Sequence, residues 1–342
     1  MEMIHPFSST ICRKEMDAVL TCMVDEKIGP GEIGRRLAQA LCEFFGTEGA
    51  VLLRSPPLAL SYAFRALDLP AGSVVALSAL APAWQHQCIA ENGYVPLVLD
   101  VNAETAQISA EAVAEAQRNG ARLLVLTGTL GGVPDLDAIK ELDIPFVEDI
   151  SQSAGARYNG QTVGTFGVFS ILGLEERDCI TGGGGAALFA GTKRDWTALK
   201  NLAETLLPVS LLPDINSALA YTQIREFERN EVKRRELYDA YIKSLFQSRH
   251  KTLVRTEKSD AAVYGFPVVL SSGFKEVKQY AAKKDIEIEP AFGMSATARL
   301  GDALPGCMAA KSLALRTAMF PLYPRLGSAQ AERIGKVLAT LP

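Results

Sequence analysis

Apolar residues fall in short consecutive runs along the first two-thirds of the chain, at 51–53, 74–77, 97–99, 123–126 and 146–147. These runs are rich in leucine or β-branched residues, and turn or polar residues follow them. Runs apolar on consecutive rather than alternate positions predict strands buried on both faces. Between them the spacing changes to that of an amphipathic helix, at 58–67 and 110–118, with 33–45 preceding the first run. Such alternation predicts a mainly parallel sheet with helices on both faces. Ligands in sheets of this kind bind beyond the carboxyl ends of the strands, where Asp149 follows the fifth run.

The pattern changes after about Leu202. Residues 215–246 read as one long helical stretch with a charged middle, R-E-F-E-R-N-E-V-K-R-R-E-L-Y, suited to a solvated or domain-linking helix. Segments 264–270, 274–283, 286–288 and 328–341 then suggest a small α/β unit. The expected division is a large domain over 1–205, followed by a linking helix and small C-terminal domain over 206–342.

Composition narrows the functional classes. The chain has 342 residues, 48% hydrophobic and 22% charged, as expected of a soluble globular protein of two domains. A net charge of −4 without a basic stripe argues against a nucleic-acid partner. No apolar run reaches the roughly 20 residues of a membrane span, and the first ten residues lack the character of a signal peptide. The expected location is therefore cytoplasmic. Cys12, Cys22, Cys42, Cys88, Cys179 and Cys307 form no C-x-x-C pair and read as reduced thiols. His5, His86 and His250 supply no metal-ligand cluster.

The chemistry concentrates between 147 and 185. There the chain reads V-E-D-I-S-Q-S-A-G-A-R-Y-N-G-Q-T-V-G-T-F-G-V-F-S and then T-G-G-G-G at Thr181 to Gly185. This segment resembles the cofactor core of the DegT/StrS-type sugar aminotransferases, and F-P-L-Y-P-R-L at 320–326 extends the resemblance over nearly the whole chain. The resemblance implies an α/β fold of the fold-type I aminotransferase kind. Its large domain would hold a mainly parallel mixed sheet sandwiched by helices, with a small C-terminal α/β domain beside it. It also implies a homodimer, a sugar-nucleotide-like ligand, and pyridoxal phosphate (PLP) or pyridoxamine phosphate (PMP) as cofactor. Asp149 then matches the acid at the pyridine nitrogen, which keeps the ring protonated as an electron sink, and Gln152 the partner of the ring hydroxyl. Taken alone, Asp149 also reads as a helix or turn cap at a strand end.

Several contacts to that cofactor depart from the family pattern. No lysine lies between Lys140 and Lys193. Counting along the resemblance puts Arg177 or Glu175 at the Schiff-base position; an arginine stays protonated and a glutamate has no amine. A histidine, the base of related dehydratases, is also missing between His86 and His250. The family's S-G-T phosphate cup reads Ser55-Pro56-Pro57, and proline has no N–H to donate. Two lost charge-assisted hydrogen bonds, about 1.5–3 kcal/mol each, amount to roughly a hundred- to ten-thousand-fold in affinity. As local structure, Ser55 is a good N-cap with proline in the first turn. Pro82 takes the place of the ring-stacking aromatic, with Trp84 two residues on as a substitute. Val209 stands where the resemblance places the partner subunit's phosphate-binding asparagine. Gly182 to Gly185 lack the G-x-G-x-x-G spacing and read as a flexible turn.

Two functions remain as expectations. The first is an aminotransferase-like protein without transaminase activity, which binds a sugar-nucleotide-like ligand or a partner in polysaccharide biosynthesis. Its vestigial cofactor contacts would be Asp149, Gln152, Ser55 and Trp84, with no catalytic residue. The alternative is an active enzyme that holds PLP or PMP non-covalently through those same residues.

Overall fold

A computed structural model describes residues 3–342. Its strands, in chain order, are β1 (Gly49–Leu53), β2 (Val74–Ser78), β3 (Val95–Leu99), β4 (Ala121–Thr127), β5 (Phe146–Asp149), β6 (Arg157–Tyr158), β7 (Gln161–Thr162), β8 (Phe169–Gly173), β9 (Ala186–Ala190), β10 (Ser259–Asp260), β11 (Phe266–Val269), β12 (Glu289–Pro290) and β13 (Thr317–Phe320). Seven of them form the main sheet in the order β1-β9-β8-β5-β4-β2-β3. The pairs β2–β3, β2–β4, β4–β5 and β5–β8 are parallel, whereas β9 runs antiparallel to both β8 and β1. The expected mainly parallel, mixed α/β sheet is the observed one.

The principal helices are α1 (Arg13–Val24), α2 (Glu32–Phe45), α3 (Pro56–Ala66), α4 (Ala83–Glu91), α5 (Ala110–Arg118), α6 (Leu136–Lys140), α7 (Lys193–Ala203), α8 (Asp214–Arg225), α9 (Phe227–Leu245), α10 (Phe274–Ala282), α11 (Ala296–Leu300), α12 (Met308–Arg316) and α13 (Ser328–Ala339). Local chemistry sets their ends. Ser109 accepts the Ala112 N–H to start α5, and Gly46, with φ of 74°, ends α2 in the left-handed region. One core cluster, with Leu37, Leu41, Leu124 and Phe189, lies on one face of the sheet. The other, with Leu60, Phe64, Val125 and Leu188, lies beneath α3 and α7. Each such side chain, once buried, contributes about 1.5–3 kcal/mol, so the sheet is the rigid base on which the strand-end loops stand.

The single long helix expected over 215–246 is two helices, broken at Glu226. Neither glycine nor proline marks the break. Its cause is packing: α8 lies against α1 and α2, whereas α9 lies against α13, so the two halves serve different bodies. Glu226 pins the joint through Lys14 and Arg229 (2.5 and 2.7 Å). Packing also crosses residue 205 in both directions. Leu212, Ala220 and Ile224 join the main-sheet core, while Ile4 joins the cluster around the β11–β13–β12 sheet.

Candidate active-site cleft

Glu148 and Asp149 close β5 at the carboxyl edge of the sheet, 2% and 1% exposed. Glu148 accepts the backbone N–H groups of Gly164, Phe166 and Gly167 (2.8, 2.7 and 2.7 Å), so it anchors the V-G-T-F-G loop. Burial raises its carboxyl above the ordinary range and those three donors pull it back. The sequence reading passed over this residue. Side-chain alternation along β5, which turns it away from Asp149, was the available signal.

Asp149 is sealed by its own protein. Its Oδ1 accepts from the Ser151 N–H (3.0 Å) and hydroxyl (2.5 Å), and its Oδ2 accepts from Gln85 Nε2 (2.6 Å). Gln85, on α4 and wholly buried, is locked in turn to the Thr127 hydroxyl (2.9 and 3.1 Å). Burial pushes the Asp149 carboxyl up, partly offset by the Ser151 and Gln85 hydrogen bonds. Nothing in the local sequence announces Gln85, which arrives from a segment 64 residues away.

Ser55 caps α3 by accepting the Leu58 N–H at 3.4 Å, and its carbonyl takes the Ala59 N–H. Pro56 and Pro57 fill the first two helical positions. The first turn therefore has no unengaged backbone donor. Trp84 packs against the α3 side of the core. The glycine run is likewise closed: Gly182 and Gly184 donate to the Leu174 carbonyl (2.9 Å each), Gly183 to Thr181 Oγ1 (3.0 Å) and Gly185 to Glu175 Oε1 (3.3 Å). At Gly185, with φ of 123°, a Cβ would collide with Leu212, so glycine is required there by space as well as by backbone.

Gln152 faces a cavity of about 500 Å³ between the strand ends and the small sheet, lined also by Phe7, Leu130, Arg177, Tyr264 and Glu289. Its Oε1 accepts the Leu130 N–H (2.8 Å) and holds that leucine in the left-handed region, φ 51°. Arg177 crosses the cavity to Glu289 on β12 (2.5 Å) and lies 5.4 Å from the Phe7 ring centre. The Glu289 hydrogen bond raises the Arg177 pKa. Glu175 is exposed and turns to the glycine run. Next to Arg177 in the chain, Asp178 accepts the Glu175 N–H (2.9 Å), and enclosure of its carboxyl raises its pKa well above the ordinary range. Gln152 and Arg177 thus share one cavity, while Asp149, Ser55 and Trp84 are committed to protein contacts around it.

The fold is that of the PLP-dependent sugar aminotransferases. The chain is 18% identical to a sugar aminotransferase from Streptococcus pneumoniae in its PLP form, with a TM-score of 0.87 over 96% of this chain and 95% of that one. It is 20% identical to the aminotransferase TlmJ from Streptoalloteichus hindustanus, with a TM-score of 0.87 over 99% and 98%. A GDP-4-keto-6-deoxymannose-3-dehydratase with bound GDP-perosamine is 18% identical, with a TM-score of 0.85 over 97% and 98%. The model of the DegT/DnrJ/EryC1/StrS aminotransferase family matches residues 9–339, and the chain belongs to that family.

Proposed function

We propose that this member of the family does not transaminate and uses its cleft to bind a sugar-nucleotide-like ligand. The observation that carries the reading is the first turn of α3, where two prolines supply no N–H and those of Leu58 and Ala59 are taken up by Ser55, which leaves a cofactor phosphate no free donor in that turn. Asp149 points the same way, since it is 1% exposed and donors from Gln85 and Ser151 already fill three of its roughly four acceptor positions. Arg177 and Glu175, the residues at the counted lysine position, carry no amine that could join a carbonyl. PLP, when bound in a site of this family, supplies the electron sink for amine chemistry; the residues present here fit that group poorly, and no step is derived through it.

What persists is a mostly apolar cleft with a few polar groups able to orient a ligand. Gln152 offers an amide, Tyr264 a ring and Arg177 a cation, within a volume in the range of small-molecule sites. The structural relative with GDP-perosamine supports a nucleotide-linked sugar as the ligand class. A homodimer belongs to the same reading. Met16, Leu20, Met23 and Val24 are 51–80% exposed at helical spacing along α1, and a second copy would cover that stripe.

The test is a titration of the purified chain with PLP and, separately, PMP. Absorbance and melting temperature are followed, and borohydride reduction is then read by mass. The expected result is no spectral shift and no adduct, with stabilisation by a nucleotide sugar instead. A reducible adduct on any lysine would restore a covalent aminotransferase. Stabilisation by PMP without an adduct would favour non-covalent cofactor chemistry. Light scattering reads the dimer.

A further inference from the structure

Away from the cleft, a second cavity of about 280 Å³ opens where the first turns of α9 meet residues 10–12 and the loop after β13. Arg229, Lys233 and Arg325 line it, and among the described residues no carboxylate does. Arg229 and Lys233 stand one turn apart on α9, a spacing at which like charges repel. Arg229 is partly offset by Glu226 (2.7 Å), but that glutamate also takes Lys14 (2.5 Å). Arg325 donates Nη1 only to the Ile11 carbonyl (3.0 Å). Among the described residues neither Arg325 nor Lys233 has a carboxylate partner. In a chain of net charge −4, this is a local convergence of positive charge.

The floor of the cavity adds a second observation. Asn230 is 3% exposed and lines the cavity, and its side-chain amide has no hydrogen-bond partner among the described residues. Its polar atoms are not among those sealed from solvent, so an unpaired primary amide in the lining of this cavity is a donor open to a ligand. Beside it Thr10, also 3% exposed, sits at φ 54°, a region β-branched residues seldom enter. Strain of this kind clusters at binding sites.

We infer that this cavity binds the phosphate or diphosphate group of a small molecule, with Arg229, Lys233 and Arg325 meeting the anion and the Asn230 amide donating from below. Its volume suits the charged end of a ligand rather than a whole cofactor. The inference is independent of how the cleft is used.

Calorimetry on the full chain at low salt tests it, with inorganic phosphate, inorganic pyrophosphate and uridine diphosphate as separate titrants. Pyrophosphate is expected to bind, and to weaken about ten-fold in Lys233→Gln and further in Lys233→Glu. Lys233→Arg should bind as the parent does. Tighter binding of uridine diphosphate would mean that a nucleoside is also read; equal binding would mean that the phosphate groups suffice. The Lys233 side chain is exposed and makes no hydrogen bond among the described residues, so these variants are expected to keep the fold, as a melting curve would verify. Arg325→Gln is the second variant and should also weaken binding about ten-fold. The inference fails if no titrant binds the folded parent, or if neither Lys233→Glu nor Arg325→Gln changes the affinity.

Discussion

Glu148 and Asp149 are consecutive, almost fully buried and negatively charged by type, yet they serve opposite sides of β5. Glu148 gathers three backbone donors from one loop. Asp149 is held by two side chains and one N–H brought from α4 and the turn behind it. A buried carboxylate persists only where donors compensate its desolvation, and each residue has found them inside the protein. The comparison separates framework from site. Glu148 anchors the V-G-T-F-G loop, whereas Asp149, which the resemblance places at the cofactor ring, is hydrogen-bonded to Ser151 and Gln85.

Breaking the framework side should have the largest effect. Glu148→Ala leaves three N–H groups unpaired, one buried and two part-buried, at up to about 1–3 kcal/mol each, a large share of the stability of a typical domain. The variant is expected to accumulate as insoluble or unfolded chain, read by solubility and circular dichroism. A folded variant with an unchanged melting temperature would overturn the anchoring role. Reopening the site side comes next. Pro56→Gly combined with Pro57→Thr restores two donors at the start of α3 and should tighten PLP binding at least ten-fold, as measured by absorbance titration. No gain would mean that the α3 terminus is not what limits the cofactor.

A milder contrast comes from Asp149→Asn. The amide keeps an oxygen for Ser151 and removes a charge that burial disfavours, but its NH2 cannot accept from Gln85, so the net cost should be about 1–3 kcal/mol, read by chemical denaturation. A loss as large as that of Glu148→Ala would erase the difference between the neighbours. The smallest effect is electrostatic and lies far from both. His250 accepts the Ser271 N–H at Nδ1 (3.0 Å) and must be neutral to do so; burial lowers its pKa below 6.5. Its folded pKa is depressed, so its contribution is present above about pH 6.5 and is lost as pH falls below that value. Melting temperature should therefore be flat above neutrality and decline on acidification, with a shallower decline in His250→Asn. Part of the slope should remain, because burial also lowers the His86 pKa.

Much of the fold was legible in the sequence because consecutive apolar runs have few alternatives to a buried strand. The five runs from 51 to 147 became β1 to β5, and the segment at 110–118 became α5. β8 and β9 were passed over because their residues lie inside a motif read for chemistry rather than for period. The joint at Glu226 was hidden for a different reason: its residues all tolerate a helix, and only the need to pack α8 and α9 on different partners breaks it. The candidate site was legible as a list of departures from a family pattern, with Ser55, Pro56 and Pro57 readable locally because capping and the missing proline donor are properties of three adjacent residues.

The sequence by itself therefore determined the strand order of events along the chain, the family, and the absence of an amine near the glycine run, since each follows from residue type and spacing. Tertiary structure alone decided that Gln85 closes over Asp149, that Arg177 reaches Glu289 across the cleft, and that Asn230, unpaired among the described residues, lies beside cations of α9 and of the loop after β13. Those contacts join residues 64 to more than 200 positions apart or depend on a side chain finding no partner at all. Hydrogen bonding and charge act over a few ångströms of space, and the chain order carries no record of which distant residues share them.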